Sequence, residues 1–200
     1  MTDITYPTEL TNGLSRDDII ARLKERLDDA RFEHCLRVEK TSRKLAKRFD
    51  EDIDRAGLAG LLHDYAKQIP VTEYRQVIQN EGFDQALLAY GRGIWHGMVG
   101  VWFIEHEVGI TDPLVLQAIE RHTTGAPTMT PLDEITFVAD FIEPARKLDG
   151  EVAARKAAET SLSDATLIEL QNTLTYLVST NKVVYPQTLL TYNALIRQTN

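Results

Sequence analysis

The sequence predicts an all-α fold, and three observations lead to this class. Apolar residues recur every three or four positions along most of the 200-residue chain, which is the spacing that gives a helix one apolar face. Helix-start signals, in which Ser, Thr or Asp precedes a proline or an acidic residue, recur between these stretches. We find no convincing run in which apolar and polar residues alternate, so no strand is predicted.

The first three helices have recognisable boundaries in the sequence. Ser15-Arg-Asp-Asp18 matches a capping box and predicts that a helix begins there. A second helix is predicted from about Asp29 to Phe49. A third helix is predicted from about Ile53 to Gln68, and its alanines and glycines at positions 56–60 would let a neighbouring helix approach closely. Pro70 marks the end of this helix.

The rest of the chain is predicted to form seven further helices. The turn Gly91-Arg-Gly93 leads into a helix that begins near His96 and ends at Gly109. Asp112-Pro113 and Thr130-Pro131 are each a capping residue followed by a first-turn proline. The predicted helical segments are 72–80, 96–109, 113–122, a helix from 131 that carries Asp140, and about 150–160, 164–180 and 186–198.

Composition and charge limit the number of domains, the partners and the cellular compartment that we expect for this protein. With 43% hydrophobic content, 200 residues can bury one core, so a single domain over residues 1–200 is predicted. The net charge of -8 argues against nucleic acid or an acidic membrane as a partner, because phosphate groups are bound mainly by clustered Lys and Arg. No apolar run approaches the roughly 18 residues of a membrane span. The start, MTDITYPTEL, lacks a secretory signal pattern, and the single cysteine, Cys35, suits a reducing compartment, so we expect a cytoplasmic protein.

Two aspartates lie in stretches that are otherwise apolar. Asp64, in GLLHDYAK, and Asp140, in FVADFI, would each be costly to bury without a partner, a hydrogen bond or a metal. Four histidines accompany them at helix ends or inner faces: His34, His63, His96 and His122. Any one of these histidines alone would most simply be a satisfied core residue. Imidazoles and carboxylates from five helices instead favour a metal site in the core of a helical bundle.

The order of these residues resembles that of the HD superfamily of metal-dependent phosphohydrolases. The surrounding motifs are similar to those of the YqeK-type HD proteins, the symmetrical bis(5'-nucleosyl)-tetraphosphatases of bacteria. These motifs are RFEH, AGLLHDYAK, WHGMVG, AIERHTTGAPTM and ADFIEPAR, and they extend from about Arg31 to Arg146. The resemblance implies an HD-domain helical bundle with a metal site in its core, formed by about residues 28–147, and C-terminal helices over about 150–198.

The resemblance also implies an activity and a set of ligands. The activity is the symmetrical hydrolysis of diadenosine tetraphosphate, or of related dinucleoside polyphosphates, to two molecules of ADP by a metal-activated water. One metal would be bound by His34, His63, Asp64 and Asp140, and a second by His96 and His122, with Asp64 bridging the two. The implied cofactors are two divalent or mixed-valence ions, with iron first and manganese or zinc as alternatives, since imidazole and carboxylate ligands suit all three.

Substrate contacts are expected beside these ligands. Lys67 follows Asp64 by three residues on the predicted helix, so its ammonium group could bind a phosphate and assist catalysis with Asp64, unless it is only a surface lysine. Three loop residues could bind phosphate or ribose, unless they only end a helix: Thr123, Thr124 and Gly125. Arg146 is a further candidate for a phosphate contact. Glu143 is expected to orient a ligand, whereas His106, outside the motifs, is expected to be solvated.

Two alternatives stay open at the level of the sequence. Another HD phosphohydrolase could act on nucleotides, cyclic dinucleotides or guanosine alarmones, because the superfamily shares its metal core while the pocket determines the substrate. A nonhydrolytic HD module could instead sense a nucleotide; loss of a ligand would be its usual mark, and all six ligands are present here. The helical segment after Gly150 either covers the core or forms an interface, so a homodimer is also left open.

Overall fold

Eleven α-helices make up most of the fold in the computed structural model, which describes residues 4–199. Residues 1–3 and residue 200 lie outside this range. Residues 1–3 belong to the stretch MTDITYPTEL, in which no secretory signal was predicted. No strand occurs among the described residues, which confirms the all-α prediction. None of the described helices is long and apolar enough to cross a membrane. The helices are α1 (Arg16–Arg26), α2 (Asp29–Arg48), α3 (Ile53–Leu62), α4 (Val71–Asn80), α5 (Arg92–Met98), α6 (Gly100–Phe103), α7 (Pro113–Arg121), α8 (Pro131–Ile142), α9 (Glu151–Ala157), α10 (Leu162–Ser179) and α11 (Pro186–Thr199), with a 3-10 turn at Gln85–Ala89 and a π-helical turn at Ile104–Val108.

Capping boxes set the starts of α1 and α8, as the sequence predicted for α1. Ser15 Oγ accepts a hydrogen bond from Asp18 N at 3.2 Å, and the Asp18 carboxylate accepts one from Ser15 N at 2.9 Å. Thr130 Oγ1 accepts from Asp133 N at 3.2 Å, and the Asp133 carboxylate accepts from Thr130 N at 2.8 Å. These bonds satisfy N–H groups that have no partner within the helix, so each chain segment turns into its helix at a defined residue.

The third helix is shorter than predicted, because α3 ends before His63 rather than at Gln68. Tight turns replace its last part, and in one of them Lys67 N bonds to Asp64 O at 2.9 Å. His63 Nδ1 lies 2.8 Å from Gly60 O, so the imidazole competes for the carbonyl that would continue the helix. The position of the Lys67 side chain therefore depends on these turns and not on a helix face.

The helix predicted to begin near His96 begins at Arg92 and is discontinuous. Gly91 is extended, and its carbonyl accepts the first bonds of α5, so the chain enters the helix one turn earlier than expected. Helices α5 and α6 are separated at Val99, and the π-helical turn ends at Gly109, as predicted for the end of this segment. Gly109 has a φ of 82°, a conformation that glycine adopts without strain.

The core forms where α2 packs along α3 and α8. A Cβ atom at Gly60 of α3 would lie 3.1 Å from Val38 O and would collide with the Ser42 hydroxyl, so glycine allows this close approach of the two helices. The C-terminal helices join the same core, since Ala154 of α9 and Ala158 belong to the main apolar cluster. Helix α10 is thereby held against the part of the molecule that carries the predicted site.

Candidate metal centre

Six histidine and aspartate side chains meet at one point in the core. They are His34 of α2, His63 and Asp64 directly after α3, His96 of α5, His122 directly after α7, and Asp140 of α8. The four imidazoles and Asp64 are buried, and the Asp140 side chain is 20% exposed. The structure thus brings together all six residues that were predicted as ligands from the sequence.

One half of the centre lies between α2, α8 and the turn after α3. His34 Nε2 is 3.2 Å from His63 Nε2 and 3.0 Å from Asp140 Oδ1. His63 Nε2 is in turn 3.4 Å from Asp64 Oδ2. His34, His63 and Asp64 each offer one ligand atom, and these atoms lie within 4.8 Å of one another, close enough for a single metal ion.

The other half of the centre uses the second oxygen of Asp64. Asp64 Oδ1 lies 3.3 Å from His96 Nε2 and 3.9 Å from His122 Nε2, and these two imidazole nitrogens are 3.0 Å apart. These three residues form a second group whose ligand atoms lie within 4.8 Å. Asp64 belongs to both groups, and its buried Oδ1 atom accepts no hydrogen bond from any described residue. A buried carboxylate oxygen that accepts no hydrogen bond fits a cation.

Backbone carbonyls hold three of the imidazoles in one orientation. His63 Nδ1 lies 2.8 Å from Gly60 O, His96 Nδ1 lies 2.8 Å from Arg92 O, and His122 Nδ1 lies 2.6 Å from Ile119 O. A carbonyl only accepts, so each Nδ1 carries a proton, and a ring in its neutral form presents the lone pair of Nε2 to the centre. Lone pairs that face one another at about 3 Å repel unless a cation lies between them, so the donor set fits a divalent metal.

Glu143 orients the fourth imidazole. Its Oε1 lies 3.2 Å from His34 Nδ1, and its Oε2 accepts hydrogen bonds at 2.7 Å from both Arg37 Nε and Ala145 N. Burial raises the pKa of Glu143, but the bonds from Arg37, Ala145 and His34 outweigh burial and lower it. An ionised carboxylate therefore faces His34 Nδ1, the contact that directs His34 Nε2 to the centre.

The two central carboxylates are held in the ionised form. Burial raises the pKa of Asp64, but the charges of His63 and Lys67 outweigh burial and hold it well below its usual value. At Asp140, burial is likewise outweighed by the hydrogen bond from His34 and by the charge of His63, so its pKa is also well below the usual range. Both aspartates are thus in the form that binds a metal.

Two of the imidazoles are held neutral. Burial, together with the charge of His63, lowers the pKa of His122 to about 4. Burial and the nearby Lys67 charge bring the pKa of His96 well below its usual value. At His63 burial acts in the same direction, but the charge of Asp64 outweighs it and the net shift is upward. The face formed by His96 and His122 is therefore ready to donate its lone pairs near neutral pH.

Three cationic side chains surround the centre. Arg31 Nη1 bonds to Asp64 Oδ2 at 2.7 Å, and Arg146 Nη2 bonds to Asp140 Oδ1. Lys67 Nζ lies 3.4 Å from Asp64 Oδ1 and 2.8 Å from His96 Nε2. The net charge of the chain is -8, so these groups provide a local positive field that the overall composition does not. Such a field suits an anionic ligand.

A cleft of about 660 Å³ opens beside the centre, between the proposed ligands and helix α10. Lys67, Thr123 and Arg146 line it on the side of the metal centre, and a row of α10 residues lines it as well. The volume is in the range of small-molecule sites, about 300 to 1,000 Å³. The cleft therefore has room for a nucleotide whose phosphates face the centre.

The three loop residues predicted to bind phosphate or ribose occupy different environments. Thr123 Oγ1 lies 3.1 Å from both His96 Nε2 and His122 Nε2 and lines the cleft. Thr124 is fully buried, and its carbonyl accepts a hydrogen bond from Thr191 of α11. The Gly125 carbonyl accepts one from Gln187 Nε2 at 2.6 Å. Contacts with α11 thus occupy Thr124 and Gly125, and Thr123 is the one of the three that lines the cleft.

The prediction for His106 agrees with its position, since it is exposed and stacks on Trp102 away from the centre. Sequence reasoning missed Glu169 of α10, a buried carboxyl group that lines the cleft. Burial raises its pKa well above the usual value, and the Asp140 charge adds to this. A signal was present, because Glu169 lies on the same helix face as the apolar Leu162 and Ala165.

Comparison with known proteins agrees with this geometry. The HD domain model matches residues 31–145. The chain is 39% identical over 183 residues to the symmetrical bis(5'-nucleosyl)-tetraphosphatase of Bacillus subtilis (strain 168). The aligned residues cover 92% of this chain and 98% of that protein. The chain is 40% identical, with the same coverage of both chains, to the protein of that name from Halalkalibacterium halodurans.

A solved structure is similar over the same extent. The crystal structure of a predicted HD superfamily hydrolase involved in NAD metabolism, from Clostridium acetobutylicum, matches with a TM-score of 0.88 at 35% identity, over 92% of this chain and 98% of that chain. The resemblance inferred from the sequence motifs is thereby confirmed. The chain belongs to the HD-domain family and, within it, to the family of the symmetrical bis(5'-nucleosyl)-tetraphosphatases.

Proposed function

We propose that this protein hydrolyses diadenosine tetraphosphate and related dinucleoside polyphosphates symmetrically, so that each molecule yields two nucleoside diphosphates. The observation that carries this proposal is the pair of potential metal-binding groups that share Asp64 and lie beside a cleft lined by Lys67 and Arg146. The names of relatives that match 92% of the chain at 39% and 40% identity support the same substrate class.

We assign two metal ions to the centre. His34, His63, Asp64 and Asp140 would bind the first ion, and His96 and His122 would bind the second, with Asp64 shared. The nitrogen and oxygen ligands, without cysteine, support iron, with manganese and zinc as alternatives. Divalent ions at such a centre lower the pKa of a coordinated water and neutralise phosphoryl oxygens.

The protein groups around the centre would bind and orient the phosphates. Asp64 serves as the catalytic carboxylate because it belongs to both groups of ligands. Lys67 Nζ, beside Asp64 and His96, is positioned to bind a phosphoryl oxygen and to offset charge that develops on the transferred phosphate. Arg146 and the Thr123 hydroxyl line the same cleft and would complete the phosphate contacts. The leaving group is ADP, a phosphate anion, so it needs less protonation than an alkoxide.

The alternatives open at the sequence level receive less support. The relatives matched over nearly their full length are named as symmetrical tetraphosphatases, which favours this substrate over cyclic dinucleotides or guanosine alarmones. A nonhydrolytic sensing module is disfavoured because all six predicted ligands converge within the described structure.

We further propose that residues 1–200 form one domain that works in the cytoplasm on a small-molecule substrate. The sharing of one apolar cluster by α2, α3, α8 and α9 supports the single domain. The net charge of -8 supports a small nucleotide, and not nucleic acid or a membrane surface, as the ligand. A homodimer stays a prediction that light scattering after size-exclusion chromatography would test.

The test is product analysis after incubation of metal-loaded protein with diadenosine tetraphosphate. Anion-exchange chromatography should detect ADP as the sole product for the wild type. Asp64→Ala should give no turnover and reduced metal content, whereas His106→Ala should retain both, because His106 is exposed and belongs to none of the potential metal-binding groups. AMP together with ATP would refute symmetrical cleavage. Equal losses in both variants would refute the assignment of the histidines.

A further inference from the structure

Glu169 is a buried carboxyl group without a partner in the wall of the cleft. It exposes 7% of its surface, and its Oε2 atom has no hydrogen-bond partner among the described residues. Near the centre, Asp64, Asp140 and Glu143 are each bonded to an arginine. A buried polar group without a hydrogen bond destabilises the folded protein, so a ligand that bonds to Glu169 would remove this cost.

Glu169 begins a row of polar residues on α10 that faces the cleft. Asn172, Thr173, Tyr176 and Ser179 follow it at intervals that keep them on one helix face, and all of them line the cleft. Burial falls along this row, since Glu169 is buried and Tyr176 is 53% exposed. Seven residues of helix separate these two, a distance of about 10 Å along the axis. The row therefore extends from the floor of the cleft to its mouth.

The two sides of this cleft suit different parts of a nucleotide, the phosphates on one side and the ribose on the other. Phosphates suit the side that carries the metal centre, Lys67 and Arg146. A carboxylate repels phosphate but bonds well to hydroxyl groups. A ribose hydroxyl both donates and accepts, so it can bond to a carboxyl group in either protonation state. Carboxylates bind ribose hydroxyls in the same way in dinucleotide-binding folds.

We propose that Glu169 binds the ribose hydroxyls of the nucleotide and that the cleft-facing side of α10 is the nucleoside subsite. This inference rests on the proposed nucleotide substrate. It gives the C-terminal helices, which lie beyond the segment that the HD domain model matches, a direct role in substrate selection.

The experiment is isothermal titration calorimetry of Mn²⁺-loaded protein with ADP and with 2',3'-dideoxy-ADP. The wild type should bind ADP about tenfold more tightly, which corresponds to roughly 1.4 kcal/mol and lies within the range for one hydrogen bond. Glu169→Met keeps the length of the side chain and removes both oxygens. This variant should bind ADP as weakly as the dideoxy compound, and its affinity for the dideoxy compound should equal that of the wild type.

Gln171→Ala is the matched control, because Gln171 lies on the same helix but is exposed and lines a different groove. It should retain the tenfold preference for ADP. Circular dichroism and metal content establish that Glu169→Met is folded, and Glu169→Leu, which also removes both side-chain oxygens, serves if it is not. The proposal is overturned if the wild type shows no preference, if a folded Glu169 variant retains the full preference, or if that variant loses affinity equally for both ligands. The calorimetry measures binding of ADP and requires no hydrolysis, so it tests the nucleoside subsite. Cleavage of diadenosine tetraphosphate is a separate measurement that tests the proposed activity.

Discussion

Replacement of Glu143 by alanine is expected to weaken metal binding although it removes no proposed ligand. The carboxylate lies 3.2 Å from His34 Nδ1 and also accepts bonds from Arg37 Nε and Ala145 N, and its side chain is only 2% exposed. Without it the His34 ring loses the contact that fixes its tautomer and orientation. Loss of a residue that hydrogen-bonds to a metal ligand typically weakens metal binding about 10- to 100-fold. This change in affinity corresponds to roughly 1.4 to 2.7 kcal/mol of binding free energy.

Glu39→Ala is the matched control for this experiment. Glu39 is also buried, but its hydrogen bonds come from Tyr6 and Arg16 and not from the centre. Its removal should lower the free energy of unfolding by roughly 3 kcal/mol, the lower end for a broken buried ion pair, because the Arg16 side chain is 21% exposed. The dissociation constant of the metal should stay the same.

The assay is competition for Mn²⁺ with a chromophoric chelator, together with urea unfolding of the metal-free proteins. Glu143→Gln should lie between the wild type and Glu143→Ala, because the amide oxygen can still accept a hydrogen bond from His34 Nδ1. The reasoning is refuted if Glu143→Ala binds metal within twofold of the wild type. It is equally refuted if Glu39→Ala weakens metal binding as much as Glu143→Ala does.

Three further predictions concern stability. Gly60→Ala should lower the free energy of unfolding by about 1 to 3 kcal/mol in urea, because the new Cβ would collide with the Ser42 hydroxyl between α2 and α3. Thr130→Ala should cost about 1 kcal/mol in the same assay, because α8 loses the hydroxyl that caps Asp133 N. The metal-free protein should lose stability as pH falls from 6.5 towards 4, because folding lowers the pKa of His122 from 6.5 to about 4 and the unfolded chain binds the proton first. The contribution of His122 is roughly 3 kcal/mol at most, and His122→Asn should lack it.

Controls separate these causes from general effects of substitution. At Gly93 of α5 a new Cβ would meet no atom within 4 Å, so Gly93→Ala should cost much less than Gly60→Ala. Equal losses would contradict the account of helix packing. For the acid effect, His63 is present in both proteins, so the difference between the wild type and His122→Asn reports His122 together with its coupling to His63. Parallel stability curves for the two proteins would contradict the role of His122.

Much of the fold could be predicted because the relevant signals are local. Ser15 with Asp18, and the Thr130-Pro131 pair, specify helix starts through bonds within four residues, and α1 and α8 begin at these points. The apolar residues of α2 recur with helical spacing, and the structure buries that face. The two aspartates among the ligand candidates could be identified for a related reason, since an aspartate within an apolar stretch is costly unless it has a partner. The four histidines were assigned through the resemblance of their motifs to the HD superfamily.

Predictions that depended on side-chain competition or on distant segments were less accurate. The end of α3 was predicted too late, because the His63 ring competes for the Gly60 carbonyl only when the imidazole points towards the centre. The environment of Thr124 could not be inferred, because it depends on α11, which follows more than sixty residues later. Glu169 was missed because its significance comes from the cleft that it lines.

The sequence by itself determined the helical class and most helix boundaries, because periodicity and capping act over a few residues, and the resemblance of its motifs to those of the HD superfamily supplied the six ligand candidates. Only the tertiary structure decided that the two oxygens of Asp64 face different imidazoles, Oδ2 towards His63 and Oδ1 towards His96. It also decided that Arg31 and Arg146 bond to the central carboxylates and that α10 forms one wall of the cleft. These features depend on distances between helices that are far apart in the chain, and such distances are set by the packing of the whole core.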